Sequence, residues 1–227
     1  MNNIKLNNNK QQVPLLSIIG DNKVNTSAEA APGSITVITG PMFSGKSGKL
    51  IKRLQKYEKK EMKRVKAYKP VNDNRFSDDK IVSRMDHYKY SFPATNLPLE
   101  LSDDVLRQIL LETESYDVVG FDEAQFFKKN IMKLVEELAS RGKEVIVAGL
   151  NMDYRGKEFG FIGGLMAMSD EIIKLFSDCN VCSSPKGSHT QRMVNGKPAK
   201  NGPIVSIGDT ESYQSRCRKC YVPPHKA

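Results

Sequence analysis

No stretch of this chain stays apolar for long. The longest such run, Val145–Leu150, falls well short of the roughly 20 residues that a membrane-spanning helix requires, which excludes a helical membrane protein. Arginine is missing from the first 33 residues, which do carry Asp21 and Glu29. A mitochondrial transit peptide, arginine-rich and poor in acids, is therefore not expected. Val13–Gly20 is apolar but short, broken by Pro14 and followed by Asp21-Asn22-Lys23. Although Ala28-Glu29-Ala30 mimics a cleavage site, the segment reads as an untargeted tail, and the expected location is the cytoplasm. Cysteine is scarce too: four residues in two pairs, with none over. Against these absences stand 39% hydrophobic residues in 227, enough after residue 33 for one core of ordinary size and too many for a wholly disordered chain.

The net charge of +9 is local. Between Lys46 and Lys69 there are eleven basic and two acidic residues, and the remaining 24 basic and 24 acidic residues cancel. A general nucleic-acid binder spreads its excess, whereas this excess sits in one helix and the strand after it. A solvated helix face beside a phosphate site therefore takes precedence over a nucleic-acid patch.

Residues 1–33, rich in Asn, Gln, Ser and Lys and without sustained period, are expected to be a disordered tail. Ser34–Thr39 has strand composition and leads through a glycine loop into Lys46–Lys60, where Leu50, Ile51, Leu54 and Tyr57 recur at helical spacing. Lys63–Tyr68 reads as a second strand, and residues 72–96 as a long functional loop. Ser102 caps an expected helix carrying Val105, Leu106, Ile109 and Leu110. Asp117–Phe121 and Glu144–Leu150 read as buried strands flanking a helix over Ile131–Ser140. A short helix around Leu165–Asp170 and a last strand at Ile172–Ser177 follow. Such alternation predicts an α/β domain with a parallel sheet and a ligand site at the carboxyl ends of its strands. The pattern changes at Asp178, which sets expected units at 34–177 and 178–222, with a short tail at 223–227.

Gly40-Pro41-Met42-Phe43-Ser44-Gly45-Lys46-Ser47 matches G-x-x-x-x-G-K-[ST] in its required context, after a strand and opening a helix. Backbone N–H groups of such a loop wrap nucleotide phosphates, Lys46 bridges the terminal two phosphates, and Ser47 ligates Mg²⁺. Asp122 and Glu123 end the strand Asp117–Phe121, where these folds hold magnesium. Asp122 is thus the metal-side carboxylate, while Glu123 either orients water in a hydrolase or takes a proton from an acceptor hydroxyl in a kinase. Ala124 and Gln125 complete this nucleotide-side segment.

Cys179-x-x-Cys182 and Cys217-x-x-Cys220, in a chain with a nucleotide loop and no leader, point to metal rather than disulfides. Four thiolates make a closed, structural zinc site, so His189 and His225 are not needed as ligands.

These motifs, with Asp73-Asn74-Arg75-Phe76, Phe121–Phe127, Ala148–Gly160, Ser188–Arg192 and Ile207–Tyr213, run in order from Ser34 to Val222 and resemble the type II thymidine kinases, the cytosolic enzymes of bacteria and animals. The resemblance implies a P-loop NTPase-like parallel sheet flanked by helices, plus a small C-terminal zinc-ribbon domain whose lasso loop closes over thymidine. It implies that Glu123 activates the 5′-hydroxyl and that Arg75 lies near the transferring phosphate. Met42, Phe126, Leu150, Tyr154 and Phe159 would line the nucleoside pocket, and Thr190, Ile204, Ser206 and Tyr213 would belong to the lasso. It further implies ATP as donor, a homotetramer, and inhibition by thymidine triphosphate, with no nucleic acid or membrane partner. A nucleic-acid-dependent ATPase with a zinc ribbon is the alternative, because it too would use the P-loop, Asp122-Glu123, the basic stretch and the zinc.

Overall fold

A computed structural model describes residues 32–71, 79–83, 90–204 and 213–227. Residues 1–31 of the tail expected over 1–33, together with Arg75 and Ser206, lie outside the described residues. Gly33 donates its N–H to Ala139 O at 2.9 Å, tying the entry of the chain to the domain.

Six strands form one all-parallel sheet in the order β5-β2-β6-β7-β1-β8. They are β1 (Ser34–Gly40), β2 (Val65–Pro70), β5 (Thr95–Leu97), β6 (Val118–Phe121), β7 (Glu144–Leu150) and β8 (Glu171–Lys174). A hairpin of β3 (Lys80–Val82) and β4 (Ser91–Pro93) stands beside them. Between Asn72 and Asn96 the sequence reading expected irregular chain, but the described part holds this hairpin and the start of β5, an edge strand of the main sheet. These strands are only three residues long, too short for alternation to show, and they exist because partners distant in sequence complete their ladders.

Period-two alternation along the central strands divides the core between two faces. Ile35, Val37, Val119, Phe121, Val145 and Val147 face α2 (Asp103–Glu112), α3 (Asn130–Ser140) and α4 (Ile162–Ala167). Ile38, Val118, Ile146 and Ala148 face α1 (Lys46–Lys60). The expected cap is present: Ser102 Oγ accepts from Val105 N at 3.3 Å. Helix α1 lies close on the sheet, since a Cβ at Gly120 would come within 3.0 Å of both terminal carbons of Leu54. Leu54 is fully buried there. Leu54→Ala is expected to destabilise the fold by about 2–5 kcal/mol in urea unfolding, and a loss below about 1 kcal/mol would contradict this packing.

Past β8, β9 (Gly187–Val194), β10 (Lys197–Pro198) and β11 (Tyr213–Cys217) form a separate antiparallel sheet in the order β10-β9-β11. The four cysteines lie in this C-terminal part. The fold is thus a P-loop-type parallel sheet flanked by helices with a small cysteine-bearing unit appended.

Candidate active site

Strand β1 delivers the phosphate loop to the carboxyl edge of the sheet. A Cβ at Gly40 would sit 2.5 Å from Leu175 O and 2.7 Å from Ser44 Oγ, so only glycine fits. Gly45, at φ 80°, turns the chain into α1, and Phe43 also takes a left-handed conformation at φ 63°. Such turns make backbone N–H groups converge on an anion. No side chain caps α1 and no acid occupies its first turn, which leaves the positive end of the helix open to phosphate oxygens. Lys46 Nζ and Ser44 Oγ both donate to Pro41 O, at 2.8 and 2.9 Å. Burial lowers the Lys46 pKa, and the nearby carboxylates of Glu123 and Asp122 oppose that shift.

That opposition places the acidic pair within the electrostatic reach of Lys46. Asp122 is 4% exposed, and its N–H continues the β2-β6 ladder by donating to Tyr68 O at 3.0 Å. β7 separates β6 from β1, so the acidic pair and the phosphate loop flank the tip of a shared neighbour. Glu123 has φ 48° and ψ 38°, a left-handed conformation that a residue with a Cβ adopts at a cost of about 1–3 kcal/mol. It caps the single turn of 3₁₀ helix Ala124–Phe126. Ala124 packs into the core. Gln125 is buried, donating from Nε2 to Glu123 Oε2 at 2.5 Å and accepting the Leu150 N–H at Oε1 at 2.9 Å.

The strand ends also carry the apolar candidates. Leu150 pairs with Gly40 in the β1-β7 register. Phe126 and Phe159 meet edge to face, centroids 5.7 Å apart. Met42 N donates to Thr190 Oγ1 at 3.0 Å, joining the phosphate loop to β9. Tyr154 is buried, its hydroxyl donating to Gly202 O at 3.0 Å and its ring 5.6 Å from the Arg192 guanidinium. Tyr213 is buried opposite Arg192 in the β9-β11 ladder, whereas Ile204 is 41% exposed.

All four cysteine sulfurs lie within 4.8 Å of one another, and those of Cys182 and Cys217 are 3.7 Å apart. Tetrahedral zinc with Zn–S bonds of about 2.3 Å places sulfurs about 3.8 Å apart, so the cluster could hold a zinc ion. Burial works against ionising Cys179, but the backbone N–H groups of Cys217, Cys182 and Val181 outweigh it and bring the thiol down to about 6. A sulfur prepared as thiolate suits a cation.

A family model described as thymidine kinase matches residues 33–221. The chain belongs to the thymidine kinase family. It is accordingly a kinase, a phosphoryl transferase that binds nucleotide, of a family that phosphorylates thymidine. Several cations of this thymidine kinase's basic stretch have partners within the chain. Arg53 pairs with Glu171 at 2.7 Å, Lys56 with Glu61 at 3.1 Å, and Lys66 with Glu112. Lys52 lies 4.5 Å over the Tyr90 ring, and Lys46 belongs to the phosphate loop. Among the described residues, no helix of this kinase is long and apolar enough to cross a membrane.

Two site features escaped the sequence reading. Gln191 is fully buried, and its amide both donates to Val222 O and accepts the Val222 N–H, at 3.1 and 2.9 Å. Tyr221 Oη donates to Tyr154 O at 2.7 Å, which ties the residue after Cys220 to the loop that follows β7. Gln191 falls inside the Ser188–Arg192 motif and Tyr221 follows the second cysteine pair, but the sequence gives neither a role, because each pairs with backbone distant along the chain.

Proposed function

We propose that this kinase transfers the γ-phosphoryl group of ATP to the 5′-hydroxyl of thymidine, and of deoxyuridine, in cytoplasmic nucleotide salvage. The observation that carries the reading is Glu123, a carboxylate on left-handed backbone at the carboxyl edge of the sheet, within the electrostatic reach of the phosphate-loop lysine. In this reading the 5′-oxygen attacks the γ-phosphorus and the bond to the β-phosphate oxygen breaks. Glu123 takes the hydroxyl proton, and ADP and dTMP leave.

Residues 40–47 with 122–125 form the ATP side. Lys46 leaves Pro41 O for the phosphates, and Arg75 adds positive charge at the transferring group. Ser47 and Asp122 offer the oxygen donors that magnesium takes, and the ion, when bound, neutralises charge on the phosphates. Met42, Phe126, Leu150, Tyr154 and Phe159 form the nucleoside wall, and Thr190, Ile204, Ser206 and Tyr213 belong to a lasso over it. A closed lasso excludes water and so suppresses ATP hydrolysis. Zinc on Cys179, Cys182, Cys217 and Cys220 holds the 178–222 unit. The family resemblance supports a homotetramer inhibited by thymidine triphosphate.

The test is transfer from γ-labelled ATP to thymidine, deoxyuridine and deoxycytidine in parallel. Label is expected on the first two nucleosides. Label released only as inorganic phosphate, and only with DNA present, would favour the zinc-ribbon ATPase instead.

A further inference from the structure

We propose that Gln125 is the positioning residue of the base: a buried amide that holds the Glu123 carboxylate toward the acceptor hydroxyl and ties it to the tip of β7. The inference rests on Glu123 being the base, and it gives Gln125 a role beyond membership in the nucleotide-side segment.

Two independent contacts determine how the amide is turned. A backbone N–H can only donate, so the group that meets Leu150 N must be the amide oxygen; an ionised carboxylate can only accept, so the group that meets Glu123 Oε2 must be the NH₂. Reversing the amide would put two acceptors together at one end and two donors at the other. Each end of Gln125 thus enforces the other, and the carboxylate is held against a side chain that is itself anchored to backbone.

The surroundings are shaped to admit this residue. A Cβ at Gly149 would lie 2.9 Å from the side-chain Oε1 of Gln125 and 2.5 Å from Ile162 Cδ1, and one at Gly160 would lie 2.2 Å from the backbone O of Gln125. Gly149 thus leaves space for the amide, and Gly160 for the main chain that carries it. Glu123 needs such a brace. Its left-handed backbone projects the side chain from the cap of a single 3₁₀ turn, and a carboxylate has rotamers to lose. A brace that removes them holds the base within the narrow tolerance that proton transfer in line with phosphoryl transfer demands.

The experiment is a double-mutant cycle on the full chain, with Glu123→Gln, Gln125→Leu and the double variant. The readouts are kcat for transfer to thymidine, KM for ATP and thymidine, and the melting temperature. Gln125→Leu alone is expected to lower kcat on the order of 10²-fold, with both KM values within about threefold and the fold intact. In the Glu123→Gln background the same change is expected to have no further effect, because the group it positions is gone.

An equal loss in both backgrounds would overturn the positioning role while leaving Glu123 as the base. Turnover near wild type in Glu123→Gln would overturn the base assignment itself, and the two failures are thereby separate. Gln125→Glu supplies a second readout. It keeps the acceptor for Leu150 N–H but sets a carboxylate against Glu123, in a site that Asp122 and Lys46 also face. The acid limb of kcat/KM is expected to move up by about one pH unit or more, since adjacent carboxylates share a proton. An unmoved limb, or failure of both Gln125 variants to fold while Glu123→Gln folds, would overturn the proposal.

Discussion

Replacing Glu123 with glutamine is expected to leave ATP bound and to lower transfer to thymidine by on the order of 10²–10⁴-fold, the contribution of a positioned general base. The substitution is nearly isosteric and retains an oxygen that can accept from Gln125. It leaves intact what holds phosphate, namely the loop between Gly40 and Ser47, the uncapped start of α1, and Lys46. Loss should therefore appear in kcat, with ATP affinity, measured by calorimetry, close to that of the parent. The left-handed backbone at 123 gives an independent reason to expect a functional price at this position. Strain of about 1–3 kcal/mol persists where the surroundings over-determine it, as active sites do. Turnover near the parent level would remove Glu123 from the chemistry and, with it, the proposed reaction path.

Removal of zinc, by chelation or by Cys217→Ser, is expected to abolish the folded state of the C-terminal unit and to weaken thymidine binding. Beyond Lys174 the buried apolar residues among those described are Cys179, Ala199, Tyr213 and Cys217. That set is too small to be a core, so a zinc ion held by the four cysteines would supply the stabilisation, on the order of 10 kcal/mol for a structural zinc site. The loss should reach the nucleoside wall through covalent neighbours of the cluster. Tyr221, next to Cys220, holds Tyr154 O, and Gln191 holds Val222 from β9. Thr190, beside Gln191, in turn accepts from the Met42 N–H of the phosphate loop. Zinc content per chain, melting temperature and thymidine affinity, measured with and without chelator, check this. Equal melting and equal affinity in both conditions would refute it.

Much of this molecule is legible from its residues. The phosphate loop, the acidic pair and the cysteine pairs are short motifs whose chemistry is carried by neighbours in sequence. β1, α1, α3 and β7 are long enough for their period to show, and each lies within a residue or two of its expected span. β3, β4 and β5 do not announce themselves, because a three-residue segment shows no period and becomes a strand only when a distant partner completes the ladder.

The same division runs through the site. Residue order alone pointed to a phosphate loop beside two carboxylates and to four thiols that could hold one metal, since those readings follow from local turns and from spacing. Only the folded chain decided that β7 lies between the loop strand and the acid-bearing strand, that Arg53 pairs with Glu171 and Lys66 with Glu112, and that Gln125 spans from Glu123 to Leu150. Each of those is a pairing across a long separation in sequence. Contacts of that kind are selected by the packing of the whole sheet, for which no local pattern of side chains carries a code.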